Sequence, residues 1–260
     1  MTTLLDGTPL LDEITDAAGG APRWDEVTHL DVGFELGGGL WGQFGQPGLT
    51  GRVDASVSTR EQRVRYRSFG SPGVDAEYTP SEVVLREANG TLLERRTDPR
   101  PTVIARGGPP WDLADATYFA GYALWNYLNV PHLFRRPDVR VVEIEPWTEV
   151  GPHTIGLPET WRRLEVTFPD SIATHNATQV FYFDDDGLQR RHDYAADVFG
   201  GAPTAHYTER HREFAGLVLP TRRRVVPRDP VTGRTEDGPV LVSLDLVAVD
   251  PRGPATRLAL

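Results

Sequence analysis

Residues 161–249 decide the fold: WRRLEVTFPDSIATH (161–175), TQVFYFDDDGLQRRHDYAADVFGG (178–201), APTAHYTERHREFAGLVLPTRRRVV (202–226) and PVLVSLDLVAV (239–249). Side chains in each segment alternate with a period of two. Arg162, Leu164, Val166 and Phe168 share one face. So do Leu188, Arg190, His192, Tyr194 and Ala196; then Leu217, Leu219, Thr221, Arg223 and Val225; then Val240, Val242, Leu244 and Leu246. Period two with tight Gly-containing turns and nothing helical between predicts an antiparallel meander. A meander with one apolar face must curl over something to bury it.

Upstream, the same alternation recurs in Thr28–Leu36, where Leu30, Val32, Phe34 and Leu36 oppose His29, Asp31, Gly33 and Glu35, and in 52–58 and 62–69. Segments 82–85 and 91–96 flank Ala88-Asn89-Gly90, a hairpin signal. The Gly-rich stretch 33–48 matches no phosphate-binding loop in strand–helix context and is expected to be a hairpin or a bend in a curved sheet.

Two helices are expected. One spans about 4–18, with Leu4, Leu5, Leu11, Ile14 and Ala17 at helical spacing before Gly19-Gly20. The other is WDLADATYFAGYALWNYL, 111–128. Asp112 or Asp115 suits its positive N-terminal end, Asn129-Val130-Pro131 stops it, and its apolar and aromatic side chains cover nearly the whole circumference. Such a helix is buried on several sides. The fold expected over 1–260 is therefore mainly β with few helices: one curved antiparallel sheet, a half-open barrel, wrapped around a buried helix.

Composition narrows the chemistry. Net charge is −10 across 260 residues, which argues against nucleic acid, since phosphate binding needs a basic surface. The chain has no Cys, and all 27 basic side chains are Arg. Thiolate nucleophiles, Schiff bases and P-loop lysines are thereby absent. No apolar run is long enough for a membrane span, and the first twenty residues lack the pattern of a secretory signal. A cytoplasmic location is expected, with no cofactor.

The opening AAGGAPRWDEVTHLDVGFEL, the FDDDGL hairpin and the later GLVLPTR strand resemble the LolA/LolB/VioE-like half-barrel proteins, over nearly the whole chain. That resemblance implies a concave apolar cavity for one small hydrophobic molecule, and the pathway enzyme VioE shows that such a fold can host a reaction. A homodimer is compatible with it.

The candidate chemistry is a His/Asp/Tyr group. His175 is expected to end a strand, His192-Asp193-Tyr194 to lie mid-strand, and His206 to face them from the next strand. As an enzyme, the protein is expected to be a cofactor-independent isomerase, cyclase or dehydratase, with His192 and His206 exchanging protons and Tyr194 stabilising an oxygen. The same residues also fit a polar layer whose members satisfy one another. His175, His192, His206, His211 and Asp193 are side chains of metal-ligating type, but no pair has the short spacing of a known site, and no metal is expected. Tyr118, Tyr122 and Trp125, with Arg190 and Arg223, are expected to line the ligand pocket; the alternative for the three aromatics is core packing. The alternative function is a non-catalytic carrier or sensor for a lipid-like or aromatic ligand.

Overall fold

The computed structural model describes residues 9–154, 156–235 and 238–253. Its first half supplies β1 His29–Gly37, β2 Gly51–Ser58, β3 Val64–Arg67, β4 Val74–Thr79, β5 Glu82–Glu87 and β6 Leu92–Thr97. The second half supplies β7 Arg140–Glu149, β8 Glu159–Thr167, β9 Thr178–Phe183, β10 Gln189–Ala196, β11 Ala202–Phe214, β12 Leu217–Pro227 and β13 Val242–Arg252. The described helices are α1 Pro9–Ala17, α2 Ala21–Asp25, α3 Leu40–Gln43, α4 Pro99–Arg106 and α5 Leu113–Asn129.

Each half is a meander, and the two join where β1 pairs antiparallel with β13, from His29↔Arg252 to Gly37↔Ser243. One sheet results, ordered β6-β5-β4-β3-β2-β1-β13-β12-β11-β10-β9-β8-β7. It does not close: β6 and β7 are its edges, and the chain passes from one to the other through α4 and α5. Register shifts at Gly33/Phe34, Leu85/Arg86, Ile144/Trp147 and Gln189/Arg191 bend the strands. The curved antiparallel sheet around a buried helix is the architecture the alternation predicts.

Helix α5 begins with a reciprocal cap. Asp112 Oδ1 accepts from the Asp115 backbone N–H at 2.9 Å, and Asp115 Oδ2 accepts from the Asp112 N–H at 3.3 Å. Arg96 and Arg106 neutralise the two carboxylates. The helix rests on β2–β5. Gly121 lets it come close, since a Cβ there would lie 2.2 Å from the Tyr78 ring of β4. All its residues from Ala114 to Asn129 except Ala120 are buried.

The finer expectations fare unevenly. Of the first helix, residues 9–17 are seen, and 4–8 lie outside the described residues. The 33–48 stretch carries the bend, as a bulge at Gly33/Phe34 within β1, rather than a hairpin turn, and beyond β1 it forms α3, which places Leu40 and Trp41 in the core. His175 does not end a strand but lies, fully buried, in the loop between β8 and β9.

The outer face of the second meander carries its own core of Trp161, Tyr182, Ala205, Tyr207 and Val226. Buried Arg191 sits among them, held by Asp193 at 2.6 and 2.9 Å and Glu149 at 2.6 Å. This guanidinium is boxed by Trp147, Tyr182 and Tyr207, 5.0–5.4 Å from their ring centres.

Candidate functional site

Under β9–β12 the concave face is filled by side chains rather than by backbone. His192 and His206 are register partners across β10 and β11, and their rings lie 5.9 Å apart. The sequence places this pair correctly. Tyr194, two residues along β10, stacks on His175 at 3.7 Å. The Tyr127 hydroxyl joins His175 Nε2 at 2.9 Å to the Tyr194 hydroxyl at 3.1 Å, while the Tyr122 hydroxyl meets His175 Nδ1 at 3.2 Å. One neutral imidazole, with one N–H and one lone pair, is matched by two phenols that can each donate or accept.

His192 is fixed differently. Gln179 Nε2 donates to Thr174 Oγ1 at 2.5 Å and Asn176 O at 2.7 Å, leaving its Oε1 to accept from His192 Nε2 at 2.5 Å. His192 also stacks on Phe181 at 4.0 Å. His206 packs edge-on against Tyr127 at 4.4 Å, and neither of its ring nitrogens has a hydrogen-bond partner. Arg223 is fully enclosed beside them. Its Nη2 donates to the Tyr127 carbonyl at 2.9 Å, and its Nε has no partner.

Burial sets the protonation states. Loss of water drives His175 down to about 3 and holds His192 and His206 well below the usual imidazole range, helped by the Arg223 charge. Burial pushes the Tyr194 phenol up to about 12, and Tyr122 and Tyr127 well above their ordinary value. At neutral pH the cluster is uncharged apart from Arg223, itself pulled down to about 10 by desolvation.

The remaining expected residues fall elsewhere. Tyr118 accepts from Arg100 at 3.3 Å and packs on Tyr78, beside a polar surface groove. Trp125 donates from Nε1 to the Ser58 and Glu61 carbonyls, both at 2.9 Å. Tyr122 meets the cluster through its hydroxyl and through its ring, which packs edge-on against His175 at 5.1 Å. Arg190 is expected inward but turns to the outer face, because the bulge at Gln189/Arg191 shifts it by one position. It lies 5.6 Å from the Trp161 ring and pairs with Glu159 and Asp184. Gln189 takes the inward place. The considered metal set also splits, since Asp193 points outward to Arg191.

A narrow apolar crevice of ≈ 30 Å³ runs between another stripe of α5 (Phe119, Ala120, Ala123, Leu124, Tyr127) and Phe34, Leu36, Trp41, Tyr66, Phe69, Val242 and Leu244. The interior is thus nearly filled, not hollow as the sequence suggests. Tyr127 belongs both to this crevice and to the polar cluster. Sequence reasoning missed it by counting it among the apolar side chains of the helix. The available signal was its phenol, one of three on a helix whose every face is buried.

No family model and no curated protein matches the chain. Among solved structures it is similar to a LolA superfamily protein from Nitrosomonas europaea, at 12% identity, 93% coverage of both chains and TM-score 0.47. It is also similar to a DUF1329 family protein from Desulfovibrio piger, at 11% identity, 96% coverage of this chain, 93% of that one and TM-score 0.45. The open, curved antiparallel sheet around a buried helix expected from the sequence is the architecture observed. Likeness at this level says nothing of ligand or reaction. Among the described residues no helix is long and apolar enough to cross a membrane.

Proposed function

We propose that the protein holds one small hydrophobic molecule without transforming it, as a carrier or sensor, between α5 and the central strands β1, β3 and β13. The observation that carries this reading is the apolar crevice ending at Tyr127. The backbone of α5 rests on β2–β5, while toward β9–β12 the helix extends rotatable rings, Tyr122 and Tyr127, that meet His175 and Tyr194. Side chains swing aside far more readily than packed backbone, so the crevice widens by rotation of Phe119, Leu124 and Tyr127.

Catalysis by proton exchange is the weaker reading. A general base works best with a pKa near the operating pH, whereas His192 and His206 are held neutral by burial and by a neighbouring cation. In this reading His192, Tyr194 and His206 form a polar wall of the binding space.

The test is fluorescence of N-phenylnaphthylamine, which brightens in apolar surroundings, titrated with wild type, Leu124→Trp and Trp147→Phe. Wild type and the outer-face Trp147→Phe brighten the probe, and Leu124→Trp, which fills the crevice, does not. Equal brightening by Leu124→Trp with an unchanged circular dichroism spectrum, or none by wild type, defeats the proposal.

A further inference from the structure

Among the described residues, Arg223 is a buried cation without a counter-ion. Its side chain has Nε unpartnered and one hydrogen bond, from Nη2 to a neutral carbonyl. Among the described residues no carboxylate pairs with it; its charge is felt by Tyr127 and Tyr194, not by an acid. This contrasts with Arg191 on the opposite face, equally buried but held by two carboxylates. An enclosed guanidinium whose Nε–H lacks a partner is costly by itself, and a carboxylate oxygen is the acceptor that satisfies it best.

The surroundings are built to receive such a group. A small cavity is bounded by Arg223, His192, Gln179, Gln189, Asn126 and Tyr127, with Phe181, Phe168 and Val130 completing the wall. Both nitrogens of the neighbouring His206 are also unpartnered, so its one N–H is free to donate. Of the titratable groups that feel the Arg223 charge, His192, His206 and His211 are neutral and Tyr127 and Tyr194 are protonated, so none competes for the cation. The cavity adjoins the apolar crevice. Tyr127 lines both, and Leu244, on the crevice wall, is the register partner of Arg223 across β12 and β13.

We infer that the ligand is an apolar carboxylic acid, its body in the crevice and its carboxylate on Arg223. This rests on the binding reading above and specifies the chemistry of its ligand. The test is competition against N-phenylnaphthylamine by decanoate and by 1-decanol, which share a chain length and differ at the head. In wild type, decanoate displaces the probe at a concentration at least about ten-fold lower than decanol, the smaller end of what a charge-assisted pair contributes. Arg223→Met abolishes that preference by weakening decanoate and leaving decanol unchanged. Should Arg223→Met not fold, the wild-type ratio alone decides. Decanol displacing as well as decanoate overturns the anion site and leaves the crevice intact. Displacement by neither overturns both, and a preference kept by Arg223→Met overturns the role of Arg223.

Discussion

Acidification provides the sharpest check on the filled interior. His175, His192 and His206 are fully or almost fully buried, and the fold holds each neutral, with His175 down to about 3 and the other two well below the usual range. In the unfolded chain they regain a pKa of about 6.5. Below that value the unfolded state binds more protons than the native state, so stability is complete above about pH 6.5 and falls as pH drops toward the folded values. Between about pH 7.5 and 5.5 each such histidine removes about 1.4 kcal/mol, and three remove about 4 kcal/mol. That is a large share of the 5–15 kcal/mol typical of a domain. The assay is urea unfolding followed by circular dichroism at both pH values, with the midpoint converted through the slope. His132 and His211, each held down to about 4 by burial, add to this loss, and His206→Phe, which also removes two unpartnered ring nitrogens, cuts the total by about 1.4 kcal/mol. A stability that stays flat over this interval shows that protons reach the imidazoles without unfolding, and refutes the closed polar wall.

Two packing predictions follow from the same coordinates. Arg191→Met strands Asp193 and Glu149 inside the outer core and costs about 3–5 kcal/mol in chemical denaturation, whereas adding Asp193→Asn and Glu149→Gln recovers much of it; a loss under about 1 kcal/mol in the single variant contradicts the reading. Gly121→Ala gains about 1 kcal/mol of helix propensity but drives a methyl against the fully buried Tyr78 ring, an overpacking cost of about 1–3 kcal/mol; the melting temperature falls, and a rise shows that α5 and β4 are less tightly apposed.

The parts legible in the sequence are those governed by local periodicity. Leu30, Val32, Phe34 and Leu36 announce β1, the 217–225 row announces β12, and the capped aromatic run announces α5. The facing of His192 and His206 follows from alternation plus one turn. What was hidden depends on contacts distant in sequence or on broken periodicity. The β1–β13 pairing joins segments more than 200 residues apart, with no local mark. Strand β7 is interrupted at Pro146, as an edge strand can be, and α4 hides behind Pro99 and Pro101, which its first turn tolerates. The bulge that sends Arg190 outward inserts a single position into an otherwise regular strand. His175 lies in a loop without periodicity, so its place between Tyr122 and Tyr127 emerges only in three dimensions.

The binding claim is tested most directly by native mass spectrometry of the protein purified from its own host, beside Leu124→Trp prepared identically. The account predicts a wild-type species heavier than the polypeptide by one small organic acid, with only the bare polypeptide mass in the variant. The bare mass for both, or the same adduct on both, would contradict it.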